Sequence, residues 1–260
     1  MLIRVKKVFS EFMSAPFQAQ TETGVVAANR RFYDGLWSRA RLIEPQRFNT
    51  WPLVSELSAR HARRLEIAPG LRPRLPLQDT IFLDLSAPAL RALHARAAKT
   101  ANGLINALPF ADGAFNLVCA MDIVEHVADD DAALAELARV AAPDATLLLS
   151  VPLHPQAWNA FDEFVGHCRR YEPQVILDKL AQHGFELTRS AIYGMQPKSS
   201  RLLGLGMWFL RRHPRTAMYW YNRVLMPIGV ALQKPLRWAS GMIDASGVDE
   251  VLLVCRKNSA

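Results

Sequence analysis

Cysteine is scarce in this chain. Cys119, Cys168 and Cys255 stand alone among 260 residues, too few and too scattered for a disulfide scaffold. Two of them sit in apolar runs, LVCAM and LLVCR, where buried free thiols are expected. Long apolar runs are missing as well: no uncharged stretch reaches the ~18 residues that cross a bilayer. The opening MLIRVKKVFSEF lacks the apolar core and small-residue cleavage site of a secretion signal. No trio of His, Cys and acids stands at metal-ligand spacing, and there is no nucleophile elbow or phosphate loop. The expected site therefore holds no metal, and the expected compartment is a reducing, bacterial-type cytoplasm.

Acid is absent from one segment. Between Gln196 and Ser240 the chain carries eight cations and no Asp or Glu, so the +7 of the whole belongs to that segment. The remainder is close to neutral and ordinary in composition, half of it hydrophobic, as in a globular protein.

What is present begins at residues 62–84. Leu65-Glu66-Ile67 ends near a carboxylate and turns through Ala68-Pro69-Gly70, and Ile81-Phe82-Leu83 ends on Asp84. Two short strands finishing in acids suit an open α/β sheet, whose ligands bind at the carboxyl ends of the strands. Asp84 is placed to accept hydrogen bonds from both hydroxyls of a ribose, and Gly70, lacking Cβ, admits close approach of a ligand. Further along, SAPALRALHARAA reads as a helix capped by Ser86, and NGLINALPF as a strand broken by Pro109. AFNLVCAM reads as the next strand, the ADDD run as a helix start, and ATLLLSVP as a buried strand. The helix PQVILDKLAQHGF, the strand ELTRSAIYGM and a closing strand VDEVLLVCRKN follow. Strand and helix alternate from 62 to 195, which points to one parallel α/β domain.

The series LEIAPG, IFLDLS, ALPFADGAFNLVCAMDIVEHV and LLLSVP resembles the class I S-adenosylmethionine-dependent methyltransferases, in the branch acting on small molecules and quinones. The resemblance covers roughly Phe32 to Met195 plus the closing strand. It implies a Rossmann-like, doubly wound sheet of about seven strands with an antiparallel last strand. It also implies a leader over 1–30, a core over 31–195 and 248–258, and a helical basic and apolar insertion over 196–247. S-adenosylmethionine is the implied cofactor. Carried over by position, Glu66 ends the first strand, Ala68 and Gly70 form the turn under the methionine part, and Asp84 and Leu85 border the ribose. Asn106, Ala107 and Leu108 border the adenine, Met121 and Asp122 face the cofactor, and Tyr33 closes over it. The chain departs from the family where glycines would stand at Ala68 and Arg72, and Arg72 is a candidate partner of the cofactor carboxylate. Only about eight residues separate the turn from the second strand, too few for a helix there.

Methyl transfer is an in-line displacement, so positioning supplies most of the acceleration, and a hydroxyl acceptor gains from a base near neutrality. Imidazole fits that task. His167, in DEFVGHCRRY, and His154, in SVPLHP, are the catalytic candidates, with Asp162, Arg169, Arg170 and Tyr171 expected along the acceptor pocket. The segment 198–238 interleaves cations with Leu, Met and Trp. It is read as a cap over an apolar acceptor, as a surface meeting anionic lipid at the inner membrane, or both. Nucleic acid is disfavoured, because the apolar runs exceed what base stacking requires. The expected activity is O-methylation of an apolar aromatic, polyene, quinone-like or acyl molecule. A nicotinamide oxidoreductase would want a G-x-G-x-x-G turn that is absent. A catalytically degenerate relative acting as a membrane or protein adaptor is the non-enzyme alternative.

Overall fold

The computed structural model describes residues 22–38, 40–194, 204–206, 208–209 and 212–259. Two helices come first, α1 (Glu22–Trp37) and α2 (Trp51–Arg60). Then run β1 (Arg64–Ile67), β2 (Thr80–Asp84), α3 (Ala87–His94), β3 (Lys99–Asn102), β4 (Phe115–Met121), α4 (Asp130–Val140) and β5 (Ala141–Pro152). The second half holds α5 (Ala160–Val165), α6 (Pro173–Gln182), β6 (Phe185–Tyr193), α7 (Pro214–Trp220), α8 (Met226–Ala231), β7 (Trp238–Ser240) and β8 (Glu250–Lys257).

Eight strands form one sheet in the order β3-β2-β1-β4-β5-β8-β6-β7. β1 to β5 pair in parallel, and β8 runs antiparallel between β5 and β6. This is the doubly wound arrangement with a reversed last strand that the sequence suggests. The eighth strand, β7, is a three-residue addition pairing antiparallel with the edge of β6.

Central parallel strands are covered on both faces, so burial runs continuously along them rather than alternating. All four residues of β1 are buried, as is the run Leu147-Leu148-Leu149 of β5. Full burial of one such leucine contributes about 1.5–3 kcal/mol. The edge strand escapes this rule. The apolar NGLINALPF run reads as a strand, but β3 is the preceding KTAN, and 103–110 is a loop. An edge strand with exposed ends needs no apolar signature, and Pro109 cannot donate to a ladder.

The connection from Leu71 to Asp79 contains no helix, as its length and its prolines at 73 and 76 require. Instead Glu66 anchors it. One carboxylate oxygen accepts the amide of Arg74 at 2.8 Å, and the other accepts Arg74 at 3.0 Å and Leu75 at 2.8 Å. At the N-terminus, α1 crosses the boundary drawn at residue 30 and ends at Trp37. Residues 1–21 of the leader lie outside the described residues, as do Lys198, Arg201 and Arg211 of the basic segment. A single helical path runs from Pro214 to Ala231, with a π-helical turn at Tyr221–Leu225 between α7 and α8. Among the described residues no helix is long and apolar enough to cross a membrane.

The strand order reverses between β1 and β4, whose carboxyl ends, Ile67 and Met121, lie side by side. That switch point is where an open α/β sheet leaves a crevice.

Candidate active site

The crevice is a cavity of about 660 Å³, within the range of small-molecule sites. Its floor is the carboxyl ends of β1, β2 and β4, its near wall α1, and its roof the helical path around Tyr221 and Met226.

One end is built by the two acids read from the sequence. Asp84 closes β2 and lines the cavity, accepting the Gly70 amide on one oxygen (2.9 Å) and the Ser86 amide on the other (2.7 Å). Burial pushes its carboxyl above the usual range, with the amides of Ser86, Gly70 and Leu85 pulling back. Glu66 also lines the cavity, and burial pushes it up to about 7 against the amides of Leu75 and Arg74. Ala68 lines the cavity in the left-handed region, at φ 54°. Gly70 also has positive φ, but its open side meets protein rather than ligand. A Cβ there would come within 2.2 Å of the Trp37 indole, and Gly70 is not among the cavity residues. The expectation that it admits a ligand is therefore corrected, since α1 uses that space to seat Trp37.

Arg72 projects into the cavity between two aromatic rings, its guanidinium carbon 5.1 Å from the Trp37 centroid and 5.3 Å from that of Tyr221. Its Nη2 is buried and has no hydrogen-bond partner among the described residues. Leu85, Asn106, Met121 and Asp122 line the cavity as well. Ala107 and Leu108 do not. Ala107 is exposed, and Leu108 is buried in the core with its amide on Glu136. The reason is geometric, because the 103–110 loop turns back on itself through a Leu104–Ala107 bridge.

The other end is polar and comes from three elements. Tyr33 is on α1, Glu125 and His126 are on the turn after β4, and His167 follows α5. His167 Nδ1–H donates to Asp162 Oδ1 at 2.8 Å, which leaves Nε2 bare and 3.9 Å from Glu125 Oε1. His126 Nδ1 lies 3.2 Å from the Gly166 carbonyl, which can only accept, so its Nε2 is the acceptor for the Tyr33 hydroxyl at 3.2 Å. Burial and the neighbouring His167 push His126 down to about 3. Burial, reinforced by Asp122, pushes Glu125 well above the ordinary carboxylate range. Glu125 Oε2 is buried without a hydrogen-bond partner among the described residues. One ligand atom from each of Glu125, His126 and His167 lies within 4.8 Å of the other two. Sequence spacing concealed this trio, because forty positions separate His126 from His167.

The other acceptor candidates lie elsewhere. Asp162 is fully buried and lies behind His167 rather than in the cavity. Arg170 pairs with Asp162 at 2.9 Å and Asp249 at 2.6 Å. Arg169 donates to the Val127 and Ala128 carbonyls, and the Tyr171 hydroxyl donates to Asp130. None of the three lines the cavity. Together they pin the loop that carries His167. His154 likewise is not among the cavity residues, its Nε2 lying 2.8 Å from the Ala245 carbonyl. Residues the sequence did not single out for the cavity include Asn29, Arg30, Trp37, Phe161, Tyr221 and Glu250. Most lie on helices whose inward face shows only after packing.

The donor set fits a nucleoside sulfonium carrying an amino acid. An amide-held carboxylate is a group that can accept from ribose hydroxyls, and a guanidinium nitrogen without a partner among the described residues is one that can meet a carboxylate. Residues 66–149 match the family model described as a methyltransferase domain. A search of curated proteins finds no match. Solved structures agree in fold. An S-adenosylmethionine-dependent methyltransferase from Thermotoga maritima aligns at TM-score 0.53 and 16% identity, over 81% of this chain and 91% of that one. A phosphoethanolamine N-methyltransferase from Haemonchus contortus, in complex with phosphomonomethylethanolamine and S-adenosylhomocysteine, aligns at TM-score 0.57 and 14% identity. That alignment covers 94% of this chain and 61% of that one. The [4+2]-cyclase SpnF aligns at TM-score 0.51 and 16% identity, over 98% and 93%. The segment matched, about a third of the chain, is described as a methyltransferase domain.

Proposed function

We propose that this chain is an S-adenosylmethionine-dependent methyltransferase and that it passes the methyl group to a hydroxyl oxygen of an apolar small molecule seated in the cavity beside Glu125, His126 and His167. One observation carries the reading: a single cavity is lined both by Asp84 and by His167, whose Nε2 is left bare. The cofactor, when bound, supplies an electrophilic methyl carbon. Asp84 would hold the ribose hydroxyls and Arg72 the carboxylate. His167, its Nδ1–H fixed by Asp162, would accept the hydroxyl proton at Nε2 as the oxygen becomes nucleophilic. Leu36, Phe161, Phe164, Leu225 and Met226 give the acceptor an apolar enclosure that excludes water from the reacting oxygen. The fold alone does not decide the reaction, since it also serves a [4+2]-cyclase.

Calorimetry with S-adenosylmethionine tests the cofactor half. Micromolar binding is expected, and Asp84→Ala weakens it by about 1–3 kcal/mol through the loss of charge-assisted hydrogen bonds. Equal affinity in the variant removes the ribose assignment. Binding of nicotinamide dinucleotides in place of S-adenosylmethionine removes the whole reading.

A lipid surface is the proposed source of the acceptor. Leu205, Trp208, Trp220, Leu225, Ile228 and Leu232 are all exposed large apolar residues. They share the 196–240 segment with Arg212 and Arg223 and with no acid, and Leu225 also borders the cavity. Arg212→Gln with Arg223→Gln is expected to weaken co-sedimentation with phosphatidylglycerol vesicles, at about 1 kcal/mol per cation. Unchanged sedimentation, or none by the parent chain, removes the lipid reading and leaves the methyl-transfer reading standing.

A further inference from the structure

We propose that Glu125, His126 and His167 form a binding site for a divalent first-row metal ion, zinc above all, at the acceptor end of the cavity. For the ion's task the inference rests on the methyl-transfer reading. Its occupancy can be measured without that reading.

Three observations converge. Each of the three residues offers a ligand atom within 4.8 Å of the other two, and all three line the cavity. The set of two imidazoles and one carboxylate is the donor class that zinc accepts in open, three-ligand sites, which leave a coordination position for substrate. Both imidazoles are held as ligands usually are, with the far ring N–H on an oxygen acceptor. For His167 that acceptor is the Asp162 carboxylate at 2.8 Å, and for His126 it is the Gly166 carbonyl at 3.2 Å. Such partners fix the tautomer and turn the Nε2 lone pairs toward the site, that of His126 being engaged by the Tyr33 hydroxyl.

The carboxylate supplies the independent sign. Glu125 is 2% exposed, and its Oε2 has no hydrogen-bond partner among the described residues. An orphaned carboxylate oxygen is costly in a protein interior. Here it faces no arginine or lysine at salt-bridge distance among the described residues; its ion-pair neighbour is His167, 3.9 Å away. A cation bound between the three groups would satisfy that oxygen. The Tyr33 hydroxyl, now donating to His126 Nε2, is the group such an ion would displace. With His167 Nε2 given to the ion, an acceptor hydroxyl would coordinate at the open position, its pKa lowered by the Lewis acid and its proton released to water rather than to His167.

The chain is stripped with a chelator and titrated with Zn²⁺, with Co²⁺ as a spectroscopic probe. One zinc per chain is expected, together with visible Co²⁺ absorption typical of nitrogen and oxygen ligands. Glu125→Gln and His126→Gln should each weaken zinc by at least ~10-fold and abolish the cobalt spectrum. His154→Ala, outside the cavity, should leave both unchanged. S-adenosylmethionine calorimetry on each variant checks that the cavity is intact, and the parent chain's cobalt spectrum needs no variant. A parent chain that takes up no stoichiometric zinc overturns the proposal, as does equal zinc affinity in an intact Glu125→Gln. Zinc binding without S-adenosylmethionine binding keeps the metal site and removes the methyl-transfer reading.

Discussion

His167→Ala is expected to lower turnover by about 100-fold or more while S-adenosylmethionine affinity stays as it was. The separation follows from position. His167 lies with Glu125 and His126, whereas Asp84, Arg72 and the Ala68 turn line the same cavity as the residues proposed to hold the cofactor. The same Nε2 lone pair serves whether it takes a proton directly or binds an ion, so its removal costs turnover under either role. The pH–rate profile distinguishes the roles. A base acting alone gives an acid limb that disappears in the variant, and a ligand gives residual activity that rises with added zinc. His167→Gln is the stricter comparison, because it fills the space without restoring an imidazole. Near-normal turnover in both variants returns His167 to a purely structural role and removes the acceptor assignment with it.

How far the sequence carried this site can be seen residue by residue. Asp84 was legible because a strand followed by an acid is a local pattern, and strand ends meet at one sheet edge by topology alone. Arg72 was legible as a departure, a cation where a small residue would stand. GHCRRY drew attention as one run, and the fold divides it: His167 faces the cavity, while Arg169, Arg170 and Tyr171 turn away to pin the loop. Alternation does not decide this, because the run is neither helix nor strand, and each side chain follows its own buried partner. Gly70 was misread for a similar reason. A missing Cβ announces close approach but not what approaches, and here it is the indole of Trp37, thirty-three residues earlier. The Glu125–His126–His167 trio was the least visible, since its members meet only when α5 brings His167 back against the turn after β4. The strands themselves were legible almost throughout. The exceptions, β3 and β7, are edge strands of three or four residues whose exposure removes the apolar signature.

The largest effect on stability is expected at Asp162, a residue that touches neither ligand pocket nor solvent. Asp162→Ala should destabilise the chain by about 3–5 kcal/mol, read as a lower denaturation midpoint at unchanged m-value. Its side chain is fully buried, and it accepts from three donors: His167 Nδ1 at 2.8 Å, Arg170 Nε at 2.9 Å and the Asn159 amide at 2.8 Å. Those hydrogen bonds from His167 and Arg170 outweigh its burial and hold the carboxyl below the usual range. The dominant cost is the guanidinium left behind. The Arg170 side chain is itself fully buried, and its remaining carboxylate, Asp249, is 43% exposed and a weaker counter-charge. Loss of the reciprocal cap at Asn159 adds about 1 kcal/mol. If the stranded charge is the cause, removing it should recover stability. The double variant Asp162→Ala with Arg170→Met is therefore expected to be more stable than Asp162→Ala alone, a coupling that a double-mutant cycle measures. A double variant less stable than the single would place the cost in the cap and in the loss of His167's anchor. Asp162→Ala should also lower turnover at temperatures where the variant remains folded, because His167 Nδ1 loses the oxygen that fixes its tautomer.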